Sequence, residues 1–264
     1  MEPFFGFAKT LLDQGLACVE GSYDSLGLYD VLNEGAEDVG FYVQFAASAS
    51  GPVLDVACGS GRVLLPLKEA GIPCSGVDNA AAMLAAAEKK LAVRGWNDVE
   101  LYCQDMTDLQ IPQVFAGVIV PYRSMMYLLD NEQRLLALES FYRHLRPGGL
   151  LAFDFDSASP TAGRQQPYLA LQGIHPLCGA IMLQVVEVWG FEDGRRLLNQ
   201  VNYTLGETTA ITVQSVWEAS CSADVMAELV RAAGFVDAIC FGHFDRRPYT
   251  GGDWCVLTAK KPGE

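Results

Sequence analysis

Positive charge is scarce in this sequence. Lys and Arg number 18 against 32 Asp and Glu, a formal net charge of −14. A phosphate-binding surface needs a basic stripe, and the densest basic cluster, Lys89-Lys90, reads as a solvated helix face. Nucleic acid is therefore excluded as the expected partner. Histidine is scarcer still, with only His144, His175 and His243. Carboxylates and histidines do not cluster at ligand spacing, so no metal is expected. Eight cysteines are present, yet none forms a Cys-x-x-Cys pair. Most fall in apolar strands and read as small buried hydrophobes in a reducing compartment. No apolar run approaches the ~20 residues of a membrane span. A basic region followed by an apolar run and a cleavage site is also missing at the start. The expectation is a soluble, cytoplasmic protein. With 264 residues, half of them hydrophobic, the chain can bury one sizeable core as a single α/β domain.

What the sequence does have is concentrated in Pro52-Val53-Leu54-Asp55-Val56-Ala57-Cys58-Gly59-Ser60-Gly61-Arg62. The first half is an apolar, β-branched run and predicts a buried parallel strand. The second half is a glycine turn, and Val63, Leu64, Leu65 and Leu67 then recur at helical spacing from near Gly61. Strand, glycine turn and helix start form a cradle that acceptor or anionic atoms can approach. Such turns also occur merely to close a strand–helix corner. Asp55 argues against that, because a carboxylate inside an apolar strand is costly without partners. A second strand, Pro73-Cys74-Ser75-Gly76-Val77-Asp78, ends in an acid that this topology sets beside the turn. There Asp78 can accept from both hydroxyls of a ribose. Dinucleotide-binding folds favour Gly or Ala where Leu64 stands.

Strands are predicted over 52–57, 73–78, 98–103, 115–120 and 149–156, with helices over 61–71, 80–94 and 130–145. This alternation implies a parallel sheet covered on both faces. Asp55, Gly59, Asp78, Asp105 and Tyr122 all fall at or just past carboxyl ends of strands, where ligands of such sheets bind. Before the core, 4–16 and 38–48 have helical spacing. After it, 159–175 reads as loop because of Pro160, Gly163, Pro167 and Gly173. Three β-rich runs with short turns, 181–191, 196–205 and 208–218, predict antiparallel hairpins. Such a flap would wall a pocket, with Glu187, Trp189, Tyr203 and Trp217 as candidate contacts, or pair two subunits. A helix over 222–234, capped by Ser222, and strands over 235–242 and 253–260 complete the reading. His144 reads as a helix cap or surface residue.

Val53 to Arg62, Gly76-Val77-Asp78 and Ala82-Met83-Leu84 resemble the cofactor motifs of class I S-adenosylmethionine (SAM)-dependent methyltransferases. In order along the chain, Gln104-Asp105-Met106 resembles the adenine-reading loop, Phe115 to Ser124 the fourth strand and its active-site edge, and Leu145 to Gly149 the turn into the fifth. Tyr29-Asp30 and Asp38-x-x-Phe41-Tyr42 resemble the lid of a small-molecule subgroup.

The resemblance implies a Rossmann-like, seven-stranded, mostly parallel sheet whose last strand is antiparallel. It implies a helical lid (1–48) and a core (49–158) in a single domain; the antiparallel flap (176–219) predicted above departs from the minimal fold and precedes a C-terminal part (220–264). It implies SAM as cofactor and Tyr23, Asp55, Ala57, Gly59, Gly61, Arg62, Asp78, Asn79, Met83, Asp105, Met106 and Pro121 as its contacts. An N-cap role for Asp105 stays open beside the adenine role. Substrate contacts implied are Tyr29, Tyr42, Tyr122, Arg123, Tyr127 and Trp217, around a small-molecule methyl acceptor. Methyl transfer needs mainly positioning and water exclusion, so no strong catalytic constellation is expected. His175, His243 and Tyr122 are the candidates for a base. A nicotinamide oxidoreductase and a non-catalytic SAM-binding protein are the competing readings, and a homodimer is left open.

Overall fold

The computed structural model describes residues 2–20, 37–174, 179–207 and 209–263. In chain order its elements are α1 (Gly6–Asp13), β1 (Cys18–Val19), α2 (Asp38–Ser48), β2 (Val53–Val56), α3 (Leu64–Glu69), β3 (Cys74–Asp78) and α4 (Ala81–Val93). Next come β4 (Leu101–Cys103), β5 (Phe115–Val120), a 3-10 turn (Ser124–Tyr127), α5 (Asn131–His144) and β6 (Leu145–Asp156). The chain continues with β7 (Gly163–Arg164), β8 (Tyr168–Ile174), β9 (Ile181–Gly190), β10 (Arg195–Leu205) and β11 (Thr209–Ala219). It ends with α6 (Ala223–Ala232), β12 (Val236–Phe241) and β13 (Trp254–Lys260). These elements form two compact units.

The larger unit is a seven-stranded sheet in the order β12-β13-β6-β5-β2-β3-β4. β2 to β6 run parallel, and β13 runs antiparallel to both β6 and β12, as expected of the last strand. Strand residues alternate between two cores. Leu54, Val56, Val118, Val120, Leu151 and Phe153 face one cluster with Phe141, Met226 and Val230. Val53, Ile119 and Ala152 face the other, with Phe41, Phe45, Leu64 and Leu67. Covering on both faces explains the uninterrupted apolar strands. Strand order reverses about β2, which has β3 on one side and β5 on the other. That reversal marks where a ligand is bound in open parallel sheets.

The second unit contains α1 and a largely antiparallel sheet, β1-β11-β10-β9-β7, with β8 also paired to β9. α1 lays Ala8 and Leu11 on Val201 and Val213. Glu187, 4% exposed, accepts from the backbone N–H groups of Phe7 (2.6 Å) and Ala8 (2.8 Å). It caps the helix start, where carboxylate charge is favourable.

Some expectations need correction. The segment 159–175 contains β7 and β8 rather than loop alone, because an edge strand tolerates the flanking Pro167 and a Gly173. α3 starts at Leu64, three residues late, since Gly61 sits at φ +90° outside helical space. His144 is neither cap nor surface. It is buried, with Nδ1 2.8 Å from the Ser140 carbonyl and Nε2 accepting from the Ile111 N–H (3.2 Å). Cys18 and Cys103 are exposed rather than buried. Among the described residues, no helix is long and apolar enough to cross a membrane.

Candidate functional site

The turn after β2 puts three residues of five in left-handed conformation: Ala57 (φ +55°), Gly59 (φ +54°) and Gly61 (φ +90°). The Gly61 N–H bonds the Cys58 carbonyl (3.0 Å), and the Cys58 N–H bonds the Val77 carbonyl of β3 (3.0 Å). Close contact requires Gly76, where a Cβ would lie 2.7 Å from Cys58 Sγ. Cys58 is buried here and burial pushes its thiol well up, so it packs and does not react. Met83 is buried, its methyl end 3.1 Å from where a Gly59 Cβ would be.

Asp55 is 1% exposed, and neither carboxylate oxygen has a hydrogen-bond partner among the described residues. Burial pushes its pKa up to about 8, with Arg62 opposing, the carboxylates of Asp78 and Asp38 adding to the rise, and the nearby Leu64 backbone N–H, too poorly placed for a full hydrogen bond, opposing weakly. At neutral pH it is largely a protonated acid. Asp78 accepts the Gly59 N–H on Oδ2 and the Ala80 N–H on Oδ1, both at 2.8 Å. Burial raises its pKa against those bonds. A carboxylate has about four acceptor sites, so Asp78 keeps accepting capacity beyond these backbone donors. Asn79 next to it is exposed. Asp105 is exposed, and its Oδ1 accepts from Thr107 N (2.8 Å) and Oγ1 (2.6 Å) in a local turn; no helix follows it, so it is not the helix N-cap that the alternative reading expected. Met106 is half-buried.

The carboxyl ends of β5 and β6 are built differently. Pro121 is buried, and its carbonyl accepts from Ser124 Oγ (2.7 Å). Tyr122 (φ +62°) and Arg123 (φ +57°) are consecutive left-handed residues with side chains, an arrangement that costs energy. Asp154 holds it. Wholly buried in β6, it accepts the N–H of Tyr122 (2.9 Å), the N–H of Arg123 (3.0 Å) and the hydroxyl of Tyr42 (2.5 Å). Burial still pushes Asp154 up to about 7, against the Tyr42 bond. Tyr42, expected as a lid contact to substrate, is fully buried and serves this clamp instead. Arg62, expected as a cofactor contact, forms a bidentate pair with Asp38 (2.6 and 2.7 Å), and its guanidinium lies 4.7 Å from the Tyr122 ring centroid. Arg123 pairs with Asp156 (3.3 Å) and lies 5.0 Å from the ring centroid of Trp254.

Beside this clamp is a cavity of about 240 Å³ lined by Glu37, Asp38, Tyr122, His243, Phe244 and Trp254. His243 Nε2 is 3.6 Å from Glu37 Oε2. Burial raises the Tyr122 phenol's pKa, so of the candidate bases there it can donate but not readily take a proton. Tyr127 is exposed on the 3-10 turn. Trp217 belongs to β11 of the second unit, 5.3 Å from Phe191, with Arg195 5.9 Å from its ring centroid. Tyr23, Tyr29 and His175 lie outside the described residues. Asp154 and Asp156 were not singled out from the sequence. Their signal was the one used for Asp55: acids at alternate positions inside the apolar run Leu150-Leu151-Ala152-Phe153-Asp154-Phe155-Asp156.

Residues 53–149 match the family model of a methyltransferase domain. The dTDP-3-amino-3,4,6-trideoxy-alpha-D-glucopyranose N,N-dimethyltransferase of Streptomyces venezuelae is 30% identical over 45% of this chain and 48% of that enzyme. The cypemycin N-terminal methyltransferase of Streptomyces sp is 29% identical over 75% of this chain and 78% of that enzyme. A crystal structure of a SAM-dependent methyltransferase from Clostridium acetobutylicum superposes with a TM-score of 0.73 at 19% identity, covering 92% of this chain and 97% of that one. The chain spans about half the length of the first curated relatives it matches.

Proposed function

We propose that this chain, a member of the class I S-adenosylmethionine-dependent methyltransferase superfamily, transfers a methyl group from SAM to a nitrogen or oxygen of a small molecule. One observation carries the reading. Within the matched residues, two acids stand on adjacent parallel strands around a left-handed glycine turn, and both keep hydrogen-bonding capacity. Asp78 would take the ribose hydroxyls on its remaining accepting capacity. Ala57, Gly59 and Gly61 leave backbone free to approach an amino-acid tail. Asp55, Asn79 and Met83 would complete the wall, and Asp105 and Met106 would read the adenine. Bound there, SAM would supply a methyl on a sulfonium, an already good leaving group.

The chain's own residues then have to align an acceptor and keep water out. The cavity beside Tyr122 is the acceptor site in this reading, with Tyr122, Phe244 and Trp254 as apolar walls and Arg123 fixed at its edge. His243, held near Glu37, would accept the proton that the attacking group loses. Two relatives bear names of N,N-dimethyltransferases, which favours an amine acceptor. The acidic surface disfavours nucleic acid as acceptor. We place the reaction in the cytoplasm, where free thiols stay reduced.

Titration calorimetry with S-adenosylhomocysteine and with NAD tests the cofactor. Binding of the first alone is expected, and binding of NAD alone would overturn the reading. Transfer of labelled methyl from SAM to amine-bearing nucleotide sugars then tests the acceptor class.

A further inference from the structure

The loop between β4 and β5 carries Asp105, exposed, and Met106, half-buried, and is gripped from behind by α5. Leu109 and Ile111 are buried in the core that also holds Phe115, Leu138 and Phe141. Their backbone N–H groups go in with them and need acceptors. Two side chains of α5 supply these. The Leu109 N–H donates to Ser140 Oγ (3.0 Å), and the Ile111 N–H donates to His144 Nε2 (3.2 Å). Ser140 and His144 are four residues apart, so they share one face of the helix. The partners of His144 fix its tautomer. Nδ1 lies 2.8 Å from the Ser140 carbonyl, which can only accept, so Nδ1 carries the proton. The Ile111 N–H can only donate, so Nε2 carries the lone pair.

Short links tie the front of the loop to this anchor. The Gln104 N–H donates to the Asp78 carbonyl (3.1 Å), and Gln104 Oε1 accepts from the Gln110 N–H (2.8 Å). The Asp108 N–H donates to the Asp105 carbonyl (3.1 Å), and Thr107 holds Asp105 Oδ1. Asp105 therefore opens a compact turn, and the residue after that turn, Leu109, is pinned to α5. We propose that His144, with Ser140, is a positioning residue for cofactor recognition, given the adenine role proposed for Asp105 and Met106. His144 acts through Ile111 and not by touching the ligand. As a buried acceptor it sets where the loop stands, and so how strictly the base is read. A recognition loop is only as exact as the shell behind it.

Calorimetry with S-adenosylhomocysteine and S-inosylhomocysteine tests this. The second ligand has a carbonyl in place of the exocyclic amine. The wild type should prefer the first by about tenfold or more, the effect of one hydrogen bond to a charged acceptor. His144→Phe keeps a ring but no acceptor, and its preference should fall to about threefold or less. His144→Gln can set an oxygen where Nε2 stands and should restore most of the preference. Ser140→Ala, the milder change, should lose part of it. Hydrogen exchange reads the anchor directly: amides of 104–111 should exchange faster in His144→Phe, with β2 and β3 unchanged. A folded His144→Phe that keeps the wild-type preference or the wild-type exchange overturns the proposal. If that variant does not fold, a Ser140→Ala chain with full preference overturns it. So does a Gln variant no better than the Phe variant. A wild type that binds both ligands equally, or neither, fails the adenine role itself and takes the proposal with it.

Discussion

The carboxyl ends of β2 and β3 and those of β5 and β6 lie on one edge of one sheet, yet their acids are treated in opposite ways. On the β2–β3 side, Asp55 has no hydrogen-bond partner among the described residues, and Asp78 has accepting capacity left over. On the β5–β6 side, Asp154 accepts three donors, Asp156 is paired with Arg123, and Asp38 is paired with Arg62. A buried polar group without a partner costs free energy, so an edge that retains such groups must gain from keeping them. The difference teaches that the first half is preserved for a ligand, while the second is a finished wall whose shape is fixed before anything binds. The wall also holds two left-handed side-chain-bearing residues, strain that three hydrogen bonds to one carboxylate can offset.

The largest effect expected from this contrast is on pH. Asp55 titrates near 8 when folded and in the ordinary carboxylate range when unfolded. Below about pH 4 both states are protonated, so Asp55 has no effect on stability there. As pH rises toward 8 the unfolded chain ionises first, and stability falls, by several kcal/mol at about 1.4 kcal/mol per pKa unit. Asp154, near 7, adds a smaller fall of the same sign. Asp55→Asn should match the wild type at pH 4 and exceed it at pH 8, read by thermal unfolding across that range. Parallel curves would mean that Asp55 is hydrated and that the contrast is false.

Next in size is the clamp. Asp154→Ala strips the acceptor from two backbone N–H groups and the Tyr42 hydroxyl, at a cost of about 3 kcal/mol. Tyr42→Phe removes one donor and should cost about 1 kcal/mol. Urea unfolding measures both, and equal effects would show that the backbone bonds contribute little. On the open side, Asp78→Ala strips the acceptor from the Gly59 and Ala80 N–H groups, at a cost of about 2 kcal/mol, and should also weaken binding of S-adenosylhomocysteine roughly 100-fold, as expected when two charge-assisted bonds to a ligand are lost. A folded variant with full affinity would remove the ribose role.

This asymmetry also explains what could be read from residue order. The β2 turn and Asp78 were legible because an acid ending an apolar run, and glycines after one, are local signals. Asp154 obeys the same rule, but the glycines Gly148-Gly149 lie before its run and not after it, so no turn signal follows the acid. The Arg62–Asp38 pair was not legible at all. Its partners are 24 residues apart, and nothing in either neighbourhood encodes the other. Tyr42 carries a helical spacing and a lid resemblance, and neither says whose oxygen it meets. β8 was hidden for a different reason: its flanking Pro and its Gly mark breaks in a central strand but not in an edge strand.

The smallest effect sharpens the boundary between the halves, because Arg62 belongs to the glycine turn by sequence and to the wall by contact. Its guanidinium makes two parallel bonds to Asp38 and lies against the Tyr122 ring, 4.7 Å from its centroid. Lysine keeps the charge but offers one compact donor, loses the fork and stacks poorly. Arg62→Lys should therefore lower stability by about 1 kcal/mol, seen as a shift in the urea midpoint with an unchanged slope. If Arg62 is wall only, affinity for S-adenosylhomocysteine stays as it was. A drop of tenfold or more would instead assign Arg62 to the ligand side, and the division between an open and a finished half would run through Tyr122 and not beside the turn.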